Sequence, residues 1–205
     1  MLRNKSTVSP ETSKIFRMEN INLPTAAAVI NFWKKSGPSL WFAADEKFDA
    51  LLRVQFESLH FAVARGEYQD WERTAEGALA LLLLTDQFPR NMYRRSAHAF
   101  ATDSMALHIA DRAIKRGFDK LVEEQYRQFF YLPFEHQEST GAQNRSLQLF
   151  AEHKAATGGN GNWRFAKLHA ELIERFGRFP HRNKVMGRES TQEEIDYLAH
   201  GGFTG

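Results

Sequence analysis

The stretch TAEGALALLLLTDQFPRN, residues 74–91, predicts the centre of the fold. Thr74 is of the type that caps a helix, and the run from Ala78 to Leu84 is apolar around its whole circumference. A helix without a polar face is surrounded by neighbours, so we expect this one to be the most buried helix of the protein. We expect Pro89 to end it at Phe88, because proline lacks the N–H that a helix interior requires.

The corner at the end of this stretch, Phe88-Pro89-Arg90-Asn91, has a second copy in Phe179-Pro180-His181-Arg182-Asn183. Guanidinium groups hold carboxylates and phosphates in a fixed plane, so two corners that face one pocket would form an anion site. The predicted ligand-binding residues are Arg90, Arg178, His181, Arg182 and Asn183. The alternative is a structural clasp, in which these groups satisfy helix carbonyls and pair with internal carboxylates such as Asp86.

The rest of the chain also has helical apolar spacing. Asp45 is expected to cap a helix that ends at Gly66, and Ser190 with Glu193 is expected to form a capping box for a last helix through Leu198. A glycine- and asparagine-rich loop is expected at residues 158–162. No run alternates with period two, so the predicted fold is all-α, with roughly eight helices packed as antiparallel pairs in a TPR-like superhelix or bundle.

Length and composition restrict the function classes. The 205 residues suit a single helical domain over residues 21–205, after a polar, flexible N-terminal extension over residues 1–20. The 27 basic and 25 acidic residues are mixed along the chain, which argues against nucleic acid as a partner. The longest apolar run is far shorter than the roughly 20 residues of a membrane span, so no membrane partner is expected. The absence of cysteine excludes disulfides and thiolate chemistry and favours a cytoplasmic protein.

The segment Glu135-His136-Gln137-Glu138 is the main candidate for acid–base chemistry. Histidine titrates near neutrality, and a carboxylate that orients it makes it a general base. We therefore name His136, Glu138 and Asp86 as candidate catalytic residues. The alternative is a buried polar knot that joins two helices. His169 lies on an apolar stripe and is interpreted as a core histidine.

No metal or other cofactor is predicted. Residues two apart on a helix diverge, so His136 and Glu138 do not form a ligand pair there. The sequence contains no His-Glu-x-x-His pattern or other complete ligand set.

Three phrases occur in the order DQFPRN (86–91), FYLPFEH (130–136) and FGRFPHRN (176–183), followed by GREST (187–191). Together with Trp41-Phe42 and Phe48-Asp49 they resemble the bacterial domain-of-unknown-function family numbered 924, from about Ala28 to Leu198. The resemblance implies an all-helical, TPR-like domain without an established activity. The family pattern after the histidine is of the type His-Ser-Glu-Asp, whereas this chain has His136-Gln137-Glu138-Ser139.

Two functions follow from these residues. In the first, which we favour, the protein is a binding module whose Arg/His-lined pocket receives an anionic small molecule or an acidic peptide. In the second, it is a small hydrolase or transferase in which His136 is the general base, and Arg182 stabilises developing negative charge. A closed pocket that unites His136, Glu138 and Arg182 would favour the enzyme, whereas internal ion pairs of the arginines would weaken both hypotheses.

Overall fold

The computed structural model describes residues 23–158 and 161–205, and the regular structure in these ranges is helical, without a strand. The α-helices are α1 Ala26–Ser36, α2 Pro38–Trp41, α3 Glu46–Ala64, α4 Ala75–Leu82, α5 Phe88–Met92, α6 Asp103–Lys115, α7 Gln128–Glu135, α8 Thr140–Thr157, α9 Gly161–Phe176 and α10 Gln192–Ala199. Short 3-10 turns lie at Gln69–Arg73, Ala97–Phe100, Phe118–Lys120, Glu124–Tyr126 and Pro180–Arg182. The all-α prediction is confirmed, and the arrangement is compatible with a TPR-like fold. The extension predicted over residues 1–20 lies outside the described residues.

Side-chain caps set the starts of the helices. Asp45 accepts a hydrogen bond from the Phe48 N–H (2.8 Å), as predicted for α3. The predicted capping box at Ser190 and Glu193 is wrong by one residue: Thr191 accepts from the Glu194 N–H (3.2 Å), and the Glu194 carboxylate accepts from the Thr191 N–H (2.8 Å). Glu194 is favoured because it also pairs with Arg178, a tertiary contact that local sequence spacing does not reveal.

The helix α4 lies at the centre of the described fold. Every residue from Gly77 to Pro89 is buried, and α4 packs against α1, α6 and α7. The ring centroid of Trp33 on α1 lies 5.4 Å from that of Phe88, in a tilted contact, and 5.7 Å from that of Phe129, in an edge-to-face contact. This agrees with the prediction that the leucine-rich helix is surrounded on all sides.

The helix does not end at Phe88, contrary to the prediction. A π turn, Leu83–Gln87, widens the helix just before Pro89, and the chain continues as α5 to Met92. Proline is tolerated because the wide turn replaces the regular i→i−4 pattern at this point. The backbone carbonyls of the π turn accept side-chain donors instead: Leu84 from His60 (2.8 Å), Thr85 from Thr102 (2.6 Å) and Asp86 from Arg90 (2.7 Å).

The second proline corner does follow a helix end. The helix α9 ends at Phe176, Gly177 takes a left-handed conformation (φ 68°), and Pro180–Arg182 forms one 3-10 turn. The 3-10 turn packs against α10, and α9 begins at Gly161, inside the segment predicted as a loop. The two copies of the motif therefore have different backbones.

None of the helices in residues 23–158 and 161–205 is long and apolar enough to cross a lipid bilayer.

Candidate functional site

A carboxylate–histidine pair forms the centre of the candidate site. Asp86 lies on the π turn with its side chain 1% exposed, and its Oδ1 is 2.8 Å from Nδ1 of His136. His136 is the residue directly after α7. Nη1 of Arg90 lies 3.3 Å from Asp86 Oδ1, and the amide of Gln87 donates to Asp86 Oδ2. The fold thus brings together Asp86 and His136, both of which the sequence named.

Charge around the pair fixes its protonation. Burial alone would raise the pKa of Asp86, but Arg90 and the hydrogen bond from His136 outweigh it and hold this pKa at about 2. Burial, assisted by the positive charge of Arg90, lowers the pKa of His136 to about 4. At neutral pH, Asp86 is therefore ionised and His136 is neutral, with its Nδ1–H donated to Asp86. Nε2 of His136 has no partner among the described residues and can accept a proton.

The two arginine corners meet at Asp103, the first residue of α6. Arg90 binds both carboxylate oxygens of Asp103, at 2.9 and 3.1 Å. Arg182 lies 3.4 Å from Asp103 Oδ2 through Nη1, and the same Nη1 donates to the His136 carbonyl at 3.0 Å. Sequence reasoning missed Asp103, because an acidic residue in the first turn of a helix is common and gives no separate signal.

Arg182 is held rigidly but is incompletely paired. Its guanidinium carbon lies 4.4 Å from the ring centroids of both Phe100 and Phe179, and the side chain is 6% exposed. Its Nε is buried without a hydrogen-bond partner. Burial, followed by repulsion from Arg90, lowers the pKa of Arg182 to about 10, so the group stays cationic at neutral pH.

A second carboxyl–histidine pair lies beside the first. Glu135 Oε1 is 3.1 Å from Nδ1 of His169, and that nitrogen also lies 2.9 Å from the Phe165 carbonyl. Burial and the nearby Asp86 raise the pKa of Glu135 to about 8, and burial lowers the pKa of His169 to about 4. Oε2 of Glu135 is buried without a partner. The structure thus places His169 in the core, as predicted, but next to the candidate site.

Other predicted residues make contacts that close the fold. Arg188 binds both oxygens of Glu138, and Glu138 accepts the Phe179 N–H at 2.8 Å. Glu138 therefore does not orient His136, a role that Asp86 takes. The internal ion pairs of Arg90, Arg178 and Arg188 are of the kind that the structural clasp requires, and they weaken the case for these three arginines as ligand contacts. Arg178 binds Glu194 at 2.6 and 2.7 Å, and Asn183 donates to the same carboxylate at 3.1 Å.

His181 lies at the outer side of the site. Its ring centroid is 5.7 Å from that of Phe179 and 5.4 Å from that of Phe203. Its Nδ1 is buried without a partner, and burial lowers its pKa to about 4. Neutral imidazole nitrogens thus line this part of the site. In the described ranges, no group of three or more His, Cys, Asp or Glu side chains is arranged to hold a metal ion.

These pKa shifts predict a stability maximum near pH 6.5. His136, His169 and His181 titrate near 4 when folded and near 6.5 when unfolded, so the unfolded state binds more protons and stability falls as the pH drops from 6.5 to 4. Glu135 has the opposite effect on stability. Its pKa rises from 4.5 to about 8 on folding, so the folded state binds more protons and stability falls as the pH rises towards 8. Urea unfolding between pH 4.5 and 8.5 measures the fall in stability on both sides of this maximum.

Glu135→Gln is the control for the behaviour at alkaline pH. It is expected to remove the fall in stability above pH 6.5 and to leave the fall in stability at acid pH in place. A stability that rises steadily from pH 5 to pH 8 in the native protein would contradict this prediction.

Comparison with known proteins gives a family but no activity. A family model described as a bacterial protein of unknown function (DUF924) matches residues 29–202. A solved structure of a protein of unknown function from Agrobacterium tumefaciens is 48% identical, covers 86% of this chain and 97% of its own, and superposes with a TM-score of 0.81. No curated protein matches this chain at a significant level.

Proposed function

Because the chain belongs to the DUF924 family, whose description assigns no function, we propose a function from the site itself: a small hydrolase or transferase that acts on an anionic small molecule. The observation that carries the proposal is the 2.8 Å contact between Asp86 and the neutral His136, beside the half-buried Arg90 and the buried Arg182. His136 is the proposed general base, Asp86 is a positioning residue, and Arg182 is the proposed anion contact.

The protonation of the pair supports a base. A histidine whose Nδ1–H is donated to an ionised carboxylate has its Nε2 lone pair free and correctly oriented. Its side chain is 12% exposed, which leaves a narrow approach to the ring. When Nε2 takes a proton from water or from a substrate hydroxyl, Asp86 stabilises the imidazolium. Burial and Arg90 oppose this and lower the pKa of His136 to about 4, below the near-neutral value that is ideal for a general base.

The incomplete pairing of Arg182 supports an anionic substrate. Arg90 uses both terminal nitrogens on carboxylates. Among the described residues, the one carboxylate contact of Arg182 is the 3.4 Å contact with Asp103, which Arg90 already binds. The unpartnered Nε of Arg182 can donate to a carboxylate or phosphate oxygen once the groups that cover this buried atom move aside. We therefore propose Arg182 and His181 as ligand contacts and Arg90 as the group that keeps Asp86 ionised.

Binding without chemistry is the second candidate, and the buried, unpartnered Nε of Arg182 favours it equally. In that case the anion is a small molecule or the acidic end of a peptide, and His136 is only a hydrogen-bonding group. Under both proposed functions, we assign a structural role to Glu138, Arg178 and Asn183. Each is already paired and holds the second corner in place.

A thermal-shift screen with phosphorylated and carboxylated metabolites tests the proposal. We expect a saturable rise in Tm for a subset of anions, since a ligand that binds only the folded state stabilises it by RT ln(1 + [L]/Kd). Arg182→Lys should lose this shift, because lysine keeps the charge but not the planar fork. Arg175→Lys is the matched control: Arg175 pairs with Glu193 on the surface, and the shift should persist.

Mass spectrometry of the bound compound after incubation separates the two candidates. Conversion by the native protein that His136→Asn abolishes supports the enzyme, whereas an unchanged compound supports binding alone. If no anion raises Tm, or if Arg182→Lys keeps the full shift, the anion site is refuted.

A further inference from the structure

We propose that residues 201–205 form a strap that closes one side of the site and must lift before a ligand reaches His181. The inference rests on the proposed function, since it takes the groups beneath the strap to be ligand contacts. Its test measures access to these groups and needs neither a ligand nor turnover.

The strap lies directly on two histidines of the site, the buried His169 and the half-buried His181. The ring centroid of Phe203 is 5.0 Å from that of His169 and 5.4 Å from that of His181, and both contacts are edge-to-face. A Cβ built on Gly205 would lie 3.3 Å from Cδ2 of His181, so Gly205 lies next to this ring. Phe203 is half-buried and Gly205 is exposed, which makes the strap the layer between these rings and solvent.

Contacts beneath the strap lead to the proposed base. The ring centroid of His169 is 6.3 Å from that of His136. On the other side, the ring of His181 packs on Phe179, which covers the guanidinium of Arg182. Lifting Phe203 therefore uncovers the side of the site where the buried His169 and the half-buried His181 lie.

Few polar contacts hold the strap in the described structure. The N–H groups of Gly202 and Phe203 donate to the carbonyl and hydroxyl of Tyr197, at 3.0 and 2.9 Å. Gly202 lies so close to Tyr197 that a Cβ there would be 2.4 Å from its ring, and Gly201 has φ 81°. Both positions need glycine, and a glycine pair is a suitable hinge.

The strap also has space into which it can move. An open cleft of about 690 Å³ lies beside it, and its lining includes Leu168, Tyr197, His200 and Phe203 itself. Outward rotation about Gly201 would carry the Phe203 ring towards this cleft and away from the histidines. The apolar wall at Leu168 and Tyr197 would then receive the ring.

Carbethoxylation of histidine by diethyl pyrocarbonate, followed by peptide mass spectrometry, tests the strap in the 205-residue chain. In Phe203→Ala we expect the modification rates of His169 and His181 to rise about tenfold, the size expected for the loss of two edge-to-face contacts. In Tyr197→Phe, which removes only the hydroxyl that anchors the strap, the same two rates should rise by a smaller factor.

Internal and matched controls make the result decisive. His60 is fully buried under the π turn, and its rate should not change. Ile195→Ala alters an exposed apolar residue of α10 and should leave all rates unchanged. Unchanged rates at His169 and His181 in Phe203→Ala would overturn the strap, and so would an equal rise at His60, which would indicate global opening. A positive result together with a failed anion screen would refute the proposed function and leave the strap standing.

Discussion

Replacement of Asp103 by alanine is expected to destabilise the protein by about 3–5 kcal/mol, the typical cost of removing one partner of a buried ion pair. Asp103 is the carboxylate on which Arg90 and Arg182 converge. Its loss leaves Arg90 with Asp86 alone and deprives Arg182 of its carboxylate contact. Urea unfolding of the variant at pH 6.5 measures the effect.

Two further variants isolate the cause. Asp111→Ala removes a carboxylate from the same helix, but Asp111 pairs with Lys115 at the surface, so we expect a change below about 1 kcal/mol. The double variant Asp103→Ala/Arg182→Met removes a cation together with its carboxylate and should recover part of the lost stability. A loss in Asp103→Ala no larger than in Asp111→Ala would show that the corners are not held by this charge cluster.

Replacement of His136 by asparagine is expected to lower kcat by about 10²- to 10⁴-fold on any substrate that the screen identifies, the usual contribution of a general base. Asparagine can keep an N–H near the position of Nδ1, so its hydrogen bond to Asp86 and much of the stability should survive. It lacks the nitrogen that corresponds to Nε2, and therefore it cannot take a proton there. Steady-state kinetics beside thermal melts separate the two effects.

The matched control is His108→Asn, since His108 is exposed on α6 and lies outside the site. Its kcat should equal that of the native protein. Full activity in His136→Asn would assign the chemistry to another group.

Much of the fold is predictable because it depends on local patterns. The apolar circumference of residues 78–84 predicts a buried helix, and Asp45 is a helix cap by residue type alone. Failures occur where tertiary contacts decide. The helix passes through Pro89 because His60, Thr102 and Arg90 bind the carbonyls of a π turn, and two of these donors are distant in sequence.

The sequence predicts which residues form the candidate site better than it predicts which of them pair with each other. The sequence identifies His136, Asp86 and the two arginine corners by residue type and by the repeated motif. It does not reveal Asp103, which resembles an ordinary first-turn residue, or the contacts of Glu135 with His169 and of Phe203 with His181. These pairings depend on how separate helices pack, which no local spacing encodes.

The protonation of His136 tests the account most directly, and nitrogen-15 NMR of the imidazole in the full-length protein measures it. We predict a neutral ring at pH 7 with its proton on Nδ1. The ring should take a second proton only well below pH 6, because Asp86 accepts the hydrogen bond from Nδ1–H and burial disfavours the cation. A doubly protonated ring at pH 7, or a neutral ring with its proton on Nε2, would contradict the account. In either state no lone pair would remain on Nε2 for His136 to act as a base.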